Sequence, residues 1–409
     1  MSEAQGSPHW KRNLVVSAVG SFTTVSGITL ILPILPLFVE DLGVRDTAAI
    51  TSWSGIAYSA TFLTAALTAP LWGHLGDRYG RKSMLIRASL GMAIAMSLIG
   101  LSQNVWQLVA LRLLAGLLGG YSSGATILVA AQTPKEKSAW ALGVLSSAIM
   151  AGNIVGPLLG GGLAEAFDVK TAFFAVGALI FVAFLGTALL LKEVRRPRTE
   201  TRKATAVRWR DIPGRSTILA LLGLSAILMF ATISAEPIIT VHVERLTGSD
   251  SGVAVFAAVV FSLSALGTIL SGPWLGQLAD RVGHLRVLTV SLAAATVLLA
   301  LQALAPDLIS FSALRFATGL ALGGITPTVV ATIRRLVPDT SVGLVLGYNV
   351  SAQYVGQVSG PIVAGALGGT LGTPVVFAMT AVATLLGVAV TIAIRAHIAR
   401  TARPRSGHP

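Results

Sequence analysis

Glu236 is the one acid in this chain set deep within an apolar run. Of the 17 Asp and Glu, the other sixteen fall in loops or at the ends of such runs. Removing a carboxyl group from water disfavours its charged form, so such a group can gain and lose a proton as its surroundings change. The local sequence is Ala231-Thr232-Ile233-Ser234-Ala235-Glu236-Pro237. Pro237 biases Glu236 away from helical dihedrals and frees a carbonyl one turn earlier, so a broken helix beside a cavity is expected. Thr232, Glu236 and Thr240 are four apart and would line one helix face. Two other readings stand beside the proton site: a structural carboxylate paired with a polar group or an arginine, and a negative charge that attracts a cationic ligand.

A second set of chemistry-bearing residues is duplicated. The charged turn Gly73-His74-Leu75-Gly76-Asp77-Arg78-Tyr79-Gly80-Arg81-Lys82 returns as Gly276-Gln277-Leu278-Ala279-Asp280-Arg281-Val282-Gly283-His284-Leu285-Arg286, 203 positions later. Ala110-Leu111-Arg112 leads to Gly116 and Gly120, and Ala313-Leu314-Arg315 leads to Gly319 and Gly323 at the same offset. Gly143, Gly152, Gly156-Pro157 and Gly160-Gly161 recur as Gly347, Gly356, Gly360-Pro361 and Ala364-Gly365, offset by 204. Arg112 is a charge within an apolar run, which commonly faces a protein interior and marks function; an arginine that snorkels to the interface is the alternative. Gly152, Gly156 and Gly160 form a stripe that lets another helix approach closely, and Pro157 favours a bend. Ordinary small-residue packing would look the same at any single glycine.

The elements that must position these residues are membrane helices. Only 11% of the 409 residues are charged, far below the roughly 25% of a soluble protein. Twelve apolar runs approach or exceed the ~20 residues that cross a bilayer: about 13–39, 49–72, 83–102, 105–132, 138–164, 170–191, 216–243, 252–276, 287–305, 308–333, 341–368 and 373–396. The predicted fold is an all-α membrane protein of twelve transmembrane helices in two parallel six-helix repeats. Residues 1–191 form the first half and 216–396 the second. A basic cytoplasmic linker (192–215) joins them and a disordered basic tail (397–409) follows. The net charge of +13 reports orientation. All but five of the 30 Lys and Arg lie in or beside the loops and tails of one face; Arg45, Lys170 and Arg245 lie on the other, and Arg112 and Arg315 within spans. This asymmetry places both termini in the cytoplasm and disfavours a nucleic-acid role. No cleavable signal peptide is read at the N-terminus, where the first apolar run ends in Glu40-Asp41. No cysteine is present, so disulfides and thiolate metal sites are excluded.

These three repeated signatures resemble those of the major facilitator superfamily. Gly73–Lys82 is similar to the family's first signature, Arg112 with Gly116 to that of span 4, and the Gly143–Gly161 spacing to the antiporter signature of span 5. The whole chain resembles a bacterial twelve-span drug:proton antiporter. The resemblance implies a cytoplasmic gate built from Gly73, Gly76, Asp77, Arg78, Gly80 and Arg81, with Asp280 and Arg281 in the second copy and the stronger latch at Asp77. It also implies an exchange-gating contact at Gly143, Gly152, Gly156, Pro157, Gly160 and Gly161, and a coupling role for Arg112. The chain departs from the pattern in one respect: many such pumps carry a membrane acid in span 1, and Ser21–Val39 contains none. Proton coupling is therefore expected at Glu236, with Asp77 as the fallback.

A polar stripe of Asn349, Gln353 and Gln357 recurs every four residues, and Asn153 lies beside Gly152. These amides suit either a tolerant pocket or hydrogen bonds between helices. Tyr121 and Phe230 are further candidates for the cavity wall, as are Trp53, Tyr58 and Phe62. The expected partners are protons, small amphiphilic substrates and the lipid bilayer of the inner membrane, with a monomeric chain and no cofactor or metal. The competing reading in the same fold is a proton-coupled symporter or uniporter for one metabolite. An enzyme is disfavoured because the six histidines are scattered (His9, His74, His242, His284, His397, His408) and no phosphate-binding glycine loop occurs.

Overall fold

The computed structural model describes residues 7–193, 212, 214–249 and 251–401, and these are built of helices and short connections without a strand. In order they form α1 (Trp10–Asp41), α2 (Thr47–Tyr79), α3 (Arg81–Gly100), α4 (Val105–Leu118), α5 (Tyr121–Gln132), α6 (Ser138–Ala166), α7 (Val169–Leu190) and α8 (Arg215–Ser234). There follow α9 (Ile239–Thr247), α10 (Val253–Val282), α11 (His284–Gln302), α12 (Leu308–Leu322), α13 (Ile325–Leu336), α14 (Asp339–Leu371) and α15 (Thr373–Thr401).

Three of the expected spans are each split into two helices. The break between α4 and α5 falls at Gly119-Gly120, where Gly120 adopts φ 100°, a left-handed conformation that costs glycine little. Gly323-Gly324 separates α12 from α13. Pro237 ends α8, and a 3-10 turn, Glu236–Ile238, leads into α9. Side-chain caps start several helices at matching places in the repeat: Asn104 accepts from the Gln107 amide (3.0 Å) and Asp307 from the Ser310 amide (2.8 Å). Each cap satisfies an amide that the helix itself leaves free.

Ten helical segments among the described residues are long and apolar enough to cross a membrane. α2 and α14 are as long, 33 residues each, but fall short in apolarity. Hydroxyl groups dilute α2, and the Asn349, Gln353 and Gln357 amides dilute α14. Most of the expected linker, and residues 402–409 of the tail, lie outside the described residues. Residues 397–401 are helical rather than disordered. Ile398 packs against the buried cluster that includes Ile394 and Leu288, and Arg400 in the last turn complements the helix dipole.

The helices cluster into two compact units. One joins the described residues up to 193 with 237–265, and the other joins those of 212–236 with 266–401. In the first, α1 packs against α6 and α7, and α3 against α7. In the second, α8 packs against α14 and α15, and α11 against α15. These are the same pairings shifted by one half of the chain. Large apolar side chains such as Leu189, Val290 and Ile309 are exposed on the outside, as a hydrocarbon solvent permits and water does not.

Candidate functional site

The Glu236 carboxylate lies 3.5 Å (Oε1 to Nη2) from Arg315 of α12. Both side chains are largely buried, at 13% and 5% exposure. Pro237 has no amide to donate back to α8, and the chain leaves the helix at this point for the 3-10 turn that carries Glu236. The acid is thus partnered by an arginine rather than left uncompensated. The helix break also separates the three residues expected on one face. Thr232 stays in α8 and bonds the Leu228 carbonyl (2.8 Å), whereas Thr240 lies in α9 and donates to the Pro33 carbonyl of α1 (2.9 Å).

Arg112 occupies the matching position in α4 with different surroundings. It is 1% exposed, which rules out a snorkelling arginine. Its Nε donates to the Ala57 carbonyl (3.2 Å), its own carbonyl accepts from Thr61 Oγ1 (3.1 Å), and its guanidinium lies 5.9 Å from the Tyr58 ring centre. Nη1 is buried without a hydrogen-bond partner among the described residues. The repeat therefore holds two buried arginines, one neutralised by a carboxylate and one held by a carbonyl and an aromatic face. Buried charge without full compensation is energetically expensive, and Glu236 supplies that compensation for Arg315.

The glycine stripe of α6 lies against α1. A Cβ at Gly152 would sit 2.9 Å from the Phe22 carbonyl oxygen; one at Gly156 would overlap Thr29 and Ser26, and one at Gly160 the Leu30 carbonyl. Thr29 Oγ1 also donates to the Gly152 carbonyl (3.1 Å). Gly161, turned to the other side, faces Ala254 and Ala258 of α10. The same helix pair in the second unit uses Gly356 against the α8 backbone at Ala226 and Phe230. Gly143 and its counterpart Gly347 face open space, so they take no part in this contact.

Asp77 is exposed and paired with Arg81 four residues on. The amides at the start of α3 are capped by Glu193, whose carboxylate oxygens accept from Arg81 N (2.8 Å) and Lys82 N (2.9 Å). Asp280 pairs with Arg335 of α13 (3.0 Å) and lies 3.5 Å from His284 Nε2. Glu193 and Arg335 escape a reading of the sequence, because each is more than fifty positions from its partner and nothing in the spacing links them. Gly80 (φ 96°) and Gly283 (φ 104°) make the two turns alike. Gly73 and Gly276 face open space, whereas a Cβ at Gly76 would meet Arg81.

Two members of the expected cavity wall are buried and hydrogen-bonded to neighbouring helices. Tyr121 is 2% exposed, bonds Thr187 Oγ1 (2.8 Å) and packs onto Gly20. Asn349 is buried and accepts from Ser225 of α8 (2.6 Å), which makes it a bond between helices. Asn153, Gln353, Gln357 and Phe230 remain half-buried. The side-chain amides of Asn153, Gln353 and Gln357 make no hydrogen bond among the described residues.

Comparison with known proteins agrees with this architecture. The sequence model of the Major Facilitator Superfamily matches residues 17–261 and 237–408. The chain is 37% identical over 407 residues to multidrug resistance protein MdtG of Klebsiella pneumoniae, covering 99% of this chain and 98% of that one. It is 38% identical over 387 residues to MdtG of Yersinia enterocolitica, covering 94% and 93%. Among solved structures, the fold is similar to a bacterial homologue of the human lysosomal transporter Spinster in an inward-facing, unoccupied conformation, with TM-score 0.77, 15% identity and coverage of 99% and 100%. It is also similar to the nucleoside transporter NupG, with TM-score 0.77, 13% identity and coverage of 94% and 99%. Matched along both halves and related over nearly its full length, the chain belongs to the Major Facilitator Superfamily and is a membrane transporter, not an enzyme.

Proposed function

We propose that this transporter exports amphiphilic drugs or toxic compounds by proton antiport through alternating access, with twelve spans in two parallel repeats and both termini in the cytoplasm. The observation that carries the reading is the buried Glu236–Arg315 pair at the break between α8 and α9. A proton arriving at Glu236 would discharge the carboxylate and free Arg315; a cationic substrate would compete for the same charge. Glu236 ends a stretch that clusters with the second unit, and Pro237 begins one that clusters with the first. The near-full-length similarity to proteins named for multidrug resistance supports the class of cargo.

The half-buried amides of Gln353 and Gln357 on α14 suit a pocket without fixed charge. Asp77, exposed and paired within its own turn, is left to the cytoplasmic gate. The test is efflux of a fluorescent cationic dye from cells that lack their own pumps. Energy-dependent loss of dye that collapses with an uncoupler is the expected outcome. Glu236→Gln should abolish the uncoupler-sensitive part; if efflux and its proton dependence both survive, Glu236 is not the coupling site. Insensitivity of the unmodified chain to uncoupler would overturn antiport itself.

A further inference from the structure

We propose that a pocket at the start of α11 and the C-terminal ends of α13 and α15 binds the headgroup of one anionic phospholipid. The pocket is an open surface depression of about 450 Å³. Its walls carry Val282, Leu285, Leu336 and Ile398, and its basic groups are Arg286, Arg335 and Arg395. Asp280 is the one carboxylate paired to this group, and it is engaged by Arg335 and His284. Arg395 has no ion-pair partner among the described residues, and Arg286 makes only a long contact with the Val282 carbonyl (3.4 Å). The pocket is thus left with an excess of positive charge over apolar walls.

The other half of the repeat supplies an internal comparison. At the matching helix start, the chain fills the place with its own carboxylate: Glu193 accepts from the amides of Arg81 and Lys82. The equivalents of those amides, 203 positions on, belong to His284 and Leu285, and at the offset of 204 that holds from Gly143 onward the equivalent of Glu193 is His397. Among the described residues no carboxylate reaches the amides of His284 and Leu285. A place that binds an oxyanion in one copy has, in the other, lost the built-in anion and gained arginines around a cavity. Phosphate groups satisfy both amides and guanidinium groups. The apolar walls distinguish a lipid from a free phosphate, because only a lipid brings glycerol and acyl carbons to cover them. The position, at the ends of membrane-length helices with Val282 and Leu336 partly exposed, is where headgroups lie, and basic pockets between spans are known lipid sites in general.

The test is binding of phosphatidylglycerol and of zwitterionic phosphatidylcholine to the purified full chain in detergent, followed by native mass spectrometry. Phosphatidylglycerol should be retained in preference. The double variant Arg286→Gln/Arg395→Gln should weaken it by roughly thirtyfold, from two charges near an anionic surface. Arg286→Lys/Arg395→Lys should retain most of the preference, and Arg334→Gln, on the same helix but outside the pocket, should leave it unchanged. Equal retention of the two lipids, or full retention by the double glutamine variant, overturns the site. Displacement of the lipid by an equal concentration of inorganic phosphate would reassign it to a soluble anion and overturn the lipid assignment. The readout is binding alone, so it stands or falls independently of proton antiport.

Discussion

Two buried arginines at equivalent positions have opposite needs. Arg315 is matched by Glu236, whereas Arg112 rests on a backbone carbonyl and a tyrosine ring. Removing one partner of a buried pair leaves an uncompensated charge, which typically costs about 3–5 kcal/mol, while replacing both by apolar residues is often neutral. Glu236→Met alone should therefore lower the thermal unfolding temperature of the purified protein more than Glu236→Met/Arg315→Met together. The double variant should remain folded and fail to transport, a separation of stability from coupling that a purely structural ion pair would not produce. Activity comparable to the unmodified chain in the double variant would make the pair structural. Glu236 was legible because an acid within an apolar run stands out. Its partner was not: Arg315 lies 79 positions away, and only the fold brings the two together.

Helix packing and helix caps carry the next level of argument. Gly156 has Thr29 and the Ser26 backbone where a side chain would stand, while Gly143 has open space. Overpacking a tight contact costs about 1–3 kcal/mol, so Gly156→Val should reduce folded yield or unfolding temperature, and Gly143→Ala should leave both within error. Equal effects would show that the stripe is not what holds α1 to α6. The period of four in α6 was visible in the sequence. The helix that fills the groove was not, since any neighbouring span could have done so. The same limit explains Tyr121 and Asn349: side-chain type suggested a ligand wall, but the hydrogen bonds to Thr187 and Ser225 are tertiary facts. The cap of α7 adds a pH prediction. The amide and hydroxyl of Thr171 hold the Asp168 carboxyl below its ordinary range. A group depressed on folding stabilises above its unfolded value and loses that contribution as pH falls through the folded one. The difference in unfolding temperature between the unmodified chain and Asp168→Ala should accordingly be present near neutral pH and shrink below about pH 4.

Charge asymmetry acts at the scale of the whole molecule. The absence of cysteine makes the orientation directly measurable, because any introduced thiol is the only one. Lys135 lies in the connection between α5 and α6, and Ser249 follows α9; both are exposed. Basic residues crowd the ends of the helices that flank the charged turns, whereas the opposite ends carry Arg45, Lys170 and Arg245 and acidic or amide caps such as Asp46, Asn104, Asp168 and Asp307. Retention of Lys and Arg on the cytoplasmic side is the strongest topological signal in membrane chains. Ser249→Cys should thus react with a membrane-impermeant maleimide in intact cells, and Lys135→Cys only after the membrane is opened. Three crossings, α6, α7 and the split span α8–α9, separate Lys135 from Ser249, so loss of any one of them would place both on the same side and label both alike. The reversed pattern, with Lys135→Cys labelled in intact cells and Ser249→Cys only after the membrane is opened, would deny α2 its crossing, the one span between Trp10 and Lys135 whose hydroxyl-rich composition does not announce it.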